Sequence, residues 1–284
     1  MRKIFFPESL RSRENYSNFA AQIKSKTKNC KNSEQHQNVV MPYSFPHIER
    51  KVYPKTFLKD VHVIFGFDAV NNTAGLDAKV GDFFKEVFSL KDITFHALEK
   101  GFRVFSNDGL IVFVFGTSSV ELAVKQPEYG SYERIFPLRS LMIRFLQLFD
   151  VNELGKLVMY KYNELKYQAA GDDHGREVMR NVFSDELLSD VGRDGQGDYT
   201  RMEKTVQIAE GEPGQSLFTV EYGFRRDADN QDMGFLTLKT RIESTGDAIP
   251  LADAESKMAS FNQVLDDGFH WCVKPEIINI MNQA

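Results

Sequence analysis

The chain has 284 residues, of which 42% are hydrophobic and 12% aromatic, and its net charge is -5. This composition provides a packed core and excludes wholesale disorder, because disordered chains lack apolar side chains. No apolar run approaches the about 18 residues that a membrane span needs, so the sequence excludes membrane insertion. The length accommodates one large domain or two ordinary ones.

Two features predict a cytoplasmic protein. Pro7 and Glu8 interrupt the short apolar stretch at the N-terminus before a secretion signal could form. The two cysteines, Cys30 and Cys272, share no spacing used by metal sites or redox motifs, which fits a reducing compartment. We therefore expect no metal and no cofactor.

Residues 1–55 are predicted to form a basic, partly extended leader. They are rich in Ser, Asn, Gln and Lys, and three prolines fall between Met41 and Lys55. Residues 1–40 carry eight Lys and Arg against three Asp and Glu, whereas the rest of the chain is acidic. A short helix over residues 12–26 is an alternative, since apolar side chains recur there at helical spacing.

Residues 56–152 are predicted to form a first α+β unit. From Val61 to Phe67 every second residue is apolar, which is the pattern of a strand with one buried face. Asn, Asp and Gly at positions 107–109 supply a hairpin turn, because these residues tolerate positive φ. The remaining expected elements are a helix over 82–90, strands over 102–105, 110–115 and 120–124, and a long amphipathic helix over 129–149.

Residues 153–284 are predicted to form a second α+β unit with the same order of elements. The closing helix, Leu251 to Cys272, carries an apolar stripe, and its small Gly268 is expected to allow close approach to a sheet. Pro275 fits the first turn of a terminal helix. The other expected elements are a strand over 157–167, a helix over 177–188, and strands over 200–208, 216–224 and 235–242.

The two units together predict an α+β fold with an internal duplication. Each reads β-α-β-β-β-α, with antiparallel sheets covered by long amphipathic helices. A local echo supports the duplication, since Lys-Glu-Val-Phe-Ser at 85–89 matches Arg-Asn-Val-Phe-Ser at 180–184.

Three segments carry a family resemblance. They are Phe57-Leu58-Lys59-Asp60-Val61, Tyr129-Gly130-Ser131-Tyr132-Glu133, and Leu265 to Met281 with its Leu-x-x-x-x-His stretch and following Ile277-Ile278. Over about residues 55–284 the chain resembles a sporadically distributed family of uncharacterised bacterial proteins. Such a family carries no established activity, so the resemblance implies the architecture and a bacterial or phage source.

Several polar clusters offer ligands for chemistry, and each has a plainer interpretation. Asp172-Asp173-His174 contains metal-capable side chains, yet it also fits a polar loop that caps the next helix. Asp227, Asp229 and Asp232 lack the Gly and Glu of a calcium loop and favour a hairpin turn. Asp190, Asp194 and Asp198 match no calcium spacing.

Nucleophilic and phosphate-binding motifs are also lacking. Cys272 lies two positions from His270 on a predicted helix, so the two side chains point apart and Cys272 is expected to pack in the core. No glycine-rich phosphate loop occurs. The sequence therefore predicts no catalytic, metal or cofactor-binding residue.

The basic leader supplies the candidate contact residues. Its cations could bind phosphates of nucleic acid or dock on a partner. They are Arg11, Arg13, Lys24, Lys26, Lys28 and Lys31.

Three functions remain open from the sequence. The first is a non-enzymatic protein-binding or scaffold component, in contact with a protein partner or a second copy, in a bacterial defence or toxin-control system. The second is a small-molecule or nucleotide binder, or an enzyme, that uses a cavity between a sheet and its covering helix. The third is a nucleic-acid binder acting through the leader. A deep cavity with converging polar groups would favour the second function, and a closed core would oppose it.

Overall fold

The computed structural model describes most of the chain after residue 43. The described residues are 44–49, 52–69, 83, 93–98, 101–168, 175–188, 202–210, 212–227, 229–230 and 233–283. The helix proposed for 12–26 lies outside them, as does the helix expected over 82–90 apart from the helical Phe83.

The described residues form eleven strands and five α-helices in an α+β arrangement. The strands are β1 (Leu58–Gly66), β2 (Ile93–Leu98), β3 (Gly101–Ser106), β4 (Ile111–Gly116), β5 (Ser119–Lys125), β6 (Glu153–Leu154), β7 (Lys156–Gln168), β8 (Met202–Glu210), β9 (Glu212–Arg226), β10 (Met233–Ser244) and β11 (Ile249–Pro250). The helices are α1 (Phe136–Leu148), α2 (Arg176–Val182), α3 (Asp185–Leu188), α4 (Ala254–Cys272) and α5 (Pro275–Met281), with a 3₁₀ turn at Leu251–Asp253.

Nine strands form one antiparallel sheet in the order β2-β3-β4-β5-β1-β7-β10-β9-β8. In the first unit the last strand, β5, returns to pair with the first, β1, and in the second unit β10 returns to pair with β7. The two first strands then pair with each other, with Val63 opposite Met159. The α+β fold with antiparallel pairing is thus confirmed, and strands of both predicted units belong to a single sheet where the sequence suggested separate ones.

The alternation of apolar residues in β1 places one face of the sheet in the core. Val61, Val63 and Phe65 are each at most 1% exposed. Their partners across β5 and β7 are also buried, because directly opposed residues in an antiparallel pair share a face. The other face carries polar and half-buried side chains such as His62 and Ile64. One face therefore faces the helices, and no helix among the described residues packs on the other.

The sequence missed strand β2 and the two-residue strands β6 and β11, and it misjudged two helices. Strand β2 adds a fourth member to the first meander. Helix α1 begins at Phe136 rather than 129, because Pro137 has a fixed φ and no N–H donor and so belongs in the first turn. The helix expected over 177–188 is divided into α2 and α3, since Phe183 is extended (φ -88°, ψ 149°) and bridges Val273.

Aromatic packing fixes α1 on the first half of the sheet. The Phe145 ring lies 4.3 Å from that of Phe115 and 5.8 Å from that of Phe102. These separations lie within the range in which aromatic pairs add to the free energy of burial. Phe136, the first residue of α1, is 51% exposed.

The buried stripe of α4 is confirmed along its whole length. Its side chains contact β7 and β10, and Met258, Phe261 and Leu265 are fully buried. A Cβ added at Gly268 would lie 2.5 Å from the Phe218 ring of β9. The absence of a side chain at Gly268 therefore lets the helix approach the sheet, as expected from the sequence. Among the described residues, no helix has the length and hydropathy to cross a membrane.

A partly buried ion pair joins the covering helices of the two units. Arg139 of α1 is 1% exposed, and its Nη2 lies 2.5 Å from Glu255 Oε1 of α4. The guanidinium also donates to the Tyr132 carbonyl and lies 3.5 Å from the centre of the Tyr132 ring. Since an unpaired buried guanidinium is costly, Glu255 and Tyr132 hold Arg139 between the units.

The chain before β1 packs against α4 instead of extending freely. Phe45 is buried, with its ring 4.8 Å from Phe218 and 5.4 Å from Trp271. The backbone N–H of Ile48 donates to Asp267 Oδ1 at 3.0 Å. Residues 44–49 and 52–57 are called the strap below.

We predict that Gly268→Ala destabilises the protein by about 1–3 kcal/mol. The added methyl group would overlap the Phe218 ring, and this overpacking outweighs the about 1 kcal/mol by which alanine favours a helix over glycine. Urea unfolding followed by circular dichroism measures the difference.

The matched control is Gly268→Ala combined with Phe218→Leu. The smaller side chain at 218 removes the overlap, so alanine should then be neutral or stabilising relative to Phe218→Leu alone. A single Gly268→Ala variant that gains about 1 kcal/mol would show that α4 does not approach the sheet closely here.

Candidate functional site

A cavity of about 520 Å³ lies between the covered face of the sheet and α4. The strap and the connection from β5 to α1, residues 126–133, complete its walls. Aromatic, apolar and polar side chains line it: Ile48, Val52, Tyr53, Pro54, Thr56, Leu58, Gln126, Tyr129, Ser131, Tyr132, Glu133, Lys161, Asn163, Asp266, Phe269, His270 and Met281, with Gly130.

A buried lysine forms part of the cavity wall contributed by the sheet. Successive side chains of a strand point to opposite faces of the sheet. In β7 the covered face receives Leu157, Met159 and Lys161, so the Lys161 side chain points into the interior. Its Nζ lies 2.5 Å from Asp266 Oδ1 of α4. The Lys161 side chain is 9% exposed and that of Asp266 is 27% exposed. Asp266 therefore neutralises the charge of Lys161, and the carboxylate is the more exposed member of the pair.

Further buried polar groups surround this pair. Asn262, one helical turn before Asp266, donates from Nδ2 to Asp266 Oδ2 at 3.2 Å. Within the described part of the chain, Asn262 Oδ1 and Thr240 Oγ1 are buried without a hydrogen-bond partner. Buried polar atoms are seldom left unsatisfied, so this region retains hydrogen-bonding capacity under α4.

The strap and α4 meet in a hydrogen bond between Tyr53 and His270. His270 Nδ1 lies 2.7 Å from the carbonyl oxygen of Asp266, and a carbonyl can only accept, so Nδ1 carries the proton. In the neutral imidazole, Nε2 then accepts from the Tyr53 hydroxyl at 2.5 Å. Burial, and then the negative charge of Asp266, raise the pKa of Tyr53. Tyr53 is therefore a neutral hydrogen-bond donor.

Two tyrosines of the β5–α1 connection form the opposite wall. Tyr129 and Tyr132 are buried, whereas Glu133 between them and α1 is exposed at the cavity mouth. Burial strongly raises the pKa of Tyr132, the Arg139 charge opposes that rise, and Glu255 adds to it. The Tyr132 hydroxyl is therefore neutral across the physiological pH range.

The cavity combines an aromatic surface with a small number of placed polar groups. This combination is the usual composition of a small-molecule site. Among the described residues, no group of three or more His, Cys, Asp or Glu side chains is arranged to hold a metal ion.

Most site residues predicted from the sequence lie outside the described residues. These are the leader cations Arg11, Arg13, Lys24, Lys26, Lys28 and Lys31, the cluster at 172–174, and Asp190, Asp194 and Asp198. Nucleic-acid binding through the leader therefore stays a prediction.

Two interpretations can be compared with described residues, and both are confirmed. The Asp227 and Asp229 pair belongs to the turn between β9 and β10, where the N–H of Asp229 donates to Asp227 Oδ1 at 3.0 Å. Cys272 is fully buried, and burial strongly raises the pKa of its thiol. A thiol with a raised pKa is a poor nucleophile. His270 lines the cavity, whereas Cys272 packs in the core.

A second polar cluster lies on the open face of the sheet around His62. Its Nδ1 is 2.8 Å from Glu121 Oε1, its Nε2 is 3.4 Å from Asp60 Oδ1, and its ring stacks on Tyr160 at 4.2 Å. Burial favours the neutral ring, but hydrogen bonds and charges of Asp60 and Glu121 outweigh it and raise the His62 pKa. Both nitrogens are committed to intramolecular partners, so we interpret this cluster as structural.

Sequence reasoning missed the cavity residues because they are far apart along the chain. Lys161 and Asp266 are separated by 105 positions. One signal was present, since Lys161 occupies an inward position in an otherwise alternating strand and therefore needed a buried acidic partner. The lining residues instead come from separate parts of the chain, such as Leu58, residues 129–133 and the helical residues Asp266 and Met281.

Comparisons with known proteins add no identity. No family model matches the sequence, and no curated protein matches it either. Among solved structures, the aspartate kinase of Clostridium acetobutylicum is similar at 7% identity with a TM-score of 0.19, over 74% of this chain and 32% of the kinase chain. The chain thus spans less than half of that kinase, and a similarity of this size supports no statement on fold or activity.

We predict that the His62 cluster makes stability depend on pH. A pKa raised in the folded state means that the stabilisation is fully present below the ordinary value of 6.5 and is lost as the pH rises through the folded pKa. The free energy of unfolding, measured in urea from pH about 6 to about 9, should therefore fall more for the native chain than for His62→Gln.

His96→Gln is the matched control, since His96 is exposed on β2. It should keep the pH dependence of the native chain. Parallel pH profiles for the native chain and His62→Gln would contradict the assignment.

Proposed function

We propose that this protein binds a small molecule in the cavity between the sheet and α4. The observation that carries the proposal is the convergence of Lys161, Asp266, Tyr53 and His270 on one aromatic-lined cavity. A cavity with converging polar groups is the feature that we expected to favour a ligand-binding protein over a scaffold.

The size and composition of the cavity support the proposal. Small-molecule sites commonly measure about 300–1,000 Å³, and the volume of about 520 Å³ lies in that range. Side chains from the strap, β7, the β5–α1 connection and α4 all reach it. A site assembled from both units and the strap has the preorganised walls that reduce the entropic cost of binding.

Polar groups beneath α4 provide a second line of support. A buried Lys–Asp pair usually contributes little net stability compared with apolar residues of the same size. Lys161 and Asp266 therefore cost free energy that a purely structural core of apolar residues would avoid. Ligand recognition accounts for retaining them.

We predict that Ser131→Trp abolishes ligand binding without unfolding the protein. Ser131 lies in the cavity wall, and an indole there would fill the space a ligand needs. A thermal-shift screen of metabolites should yield compounds that raise the Tm of the native chain by about 5 °C or more at 100 times their Kd. These compounds should not shift Ser131→Trp.

Ser256→Trp serves as the matched control, because Ser256 is exposed on α4 and outside the cavity. It should respond to ligand as the native chain does. Compounds that stabilise Ser131→Trp and the native chain equally would place binding elsewhere and refute the proposal.

Protein binding through the open face of the sheet is the second candidate function. Ile64, Tyr160, Tyr162 and Phe235 are only partly buried there, and no described helix covers them. A second copy of the chain is the partner that can be tested directly. The scaffold role expected from the sequence would use this face.

We predict that Ile64→Lys weakens self-association at least tenfold, because it places an unpaired charge at the centre of this face. Sedimentation equilibrium of both proteins measures the dimer Kd. Ser256→Lys, at an exposed position on α4 and away from this face, is the control and should leave the Kd unchanged. A native chain that stays monomeric at every concentration would contradict self-association through this face.

A further inference from the structure

The cavity walls provide the surfaces that bind organic cations. Tyr53 of the strap, Tyr129 of the β5–α1 connection and Phe269 of α4 come from three separate elements and line the same space. Aromatic faces attract a cation electrostatically, because the ring quadrupole places negative potential above the ring. Groups of such rings from different elements are the usual means of binding quaternary ammonium groups.

Among the lining residues that the structure describes, carboxylates outnumber ammonium groups. Asp266 and Glu133 provide two carboxylates, whereas Lys161 provides the one ammonium among the lining residues that the structure describes. That ammonium already lies 2.5 Å from Asp266 Oδ1, and its side chain is the less exposed of the two. The carboxylate is therefore the member of the pair that an entering ligand meets.

An anionic ligand would meet two physical obstacles. To reach Lys161 it would have to displace Asp266, which would leave a partly buried carboxylate without its cation. Tyr53 shows the same preference against negative charge, because burial and the Asp266 charge both raise its pKa and so disfavour its phenolate form. Additional negative charge is thus unfavourable on this side of the cavity.

We propose, on the basis of the proposed ligand-binding function, that the cavity takes a small organic cation, an amine or quaternary ammonium compound with an apolar body. The rings of Tyr53, Tyr129 and Phe269 would surround the cationic group, and Asp266 and Glu133 would supply the opposite charge. Glu133 is exposed at the mouth, where a carboxylate also attracts cations from solution.

Ligands that differ only in charge test this proposal. The first set is choline, its neutral isostere 3,3-dimethylbutan-1-ol and the anion 3,3-dimethylbutanoate. The second set is phenethylammonium, 2-phenylethanol and phenylacetate. Calorimetry or ligand-observed NMR with the full chain gives the Kd for each compound. We expect the cation of at least one set to bind at least tenfold more tightly than its neutral and anionic counterparts.

Two variants report the role of the carboxylates. Glu133→Gln changes an exposed side chain and should weaken the cation severalfold while leaving the neutral compound unaffected. Asp266→Asn should weaken it further, and circular dichroism would show whether the chain remains folded once Lys161 has lost its partner. Glu276→Gln, at an exposed position on α5 and outside the cavity, is the matched control and should bind as the native chain does.

The outcomes separate this proposal from the one on which it rests. Equal or tighter binding of the neutral or anionic compounds, blocked by Ser131→Trp, would overturn the cation preference and keep the cavity as a ligand site. No binding of any of the six compounds would also overturn the cation preference. In that case the metabolite screen with Ser131→Trp would still decide whether the cavity binds a ligand.

Discussion

The antiparallel pairing of β1 with β7 determines the rest of the architecture. It joins the first strand of one unit to the first strand of the other near their midpoints, with Val63 opposite Met159. Because opposed residues share a face, this register places the apolar side chains of both units on the same side. Both covering helices must then pack on that side. Their meeting is secured by Arg139 and Glu255, and the space left beside them is the cavity.

The fold could be read from the sequence where one periodicity dominates. The alternation in β1 and the stripe of α4 each repeat an apolar residue over many positions, so a single local deviation does not alter the prediction. Errors occurred where one residue overrides the pattern. Pro137 sets the start of α1, and the extended Phe183 interrupts an otherwise helical spacing. The fusion of two sheets into one could not be predicted, because strand pairing between units leaves no local signal.

Only part of the candidate site could be predicted from the sequence, for a related reason. Sequence motifs report functional groups that are close along the chain, such as the aspartates around Asp227, which form a turn. The cavity instead brings together the strap, β7 and α4, and its Lys161–Asp266 pair depends on the final packing of α4. The inward position of Lys161 in an alternating strand predicts a buried partner, but the strand pattern does not identify that partner as Asp266.

The strap lies before the first strand, yet it forms part of the cavity wall. The regular alternation begins with β1, and a chain trimmed to that point would retain every strand and helix described above. Such a trimmed chain would lack Tyr53 and Ile48, so His270 would lose its phenol partner and Asp266 would face open solvent. The residues that enclose the cavity therefore extend further upstream than the residues that form the sheet and its helices. Architectures that differ only upstream of their first strand would differ in access to this cavity while sharing the same sheet and helices.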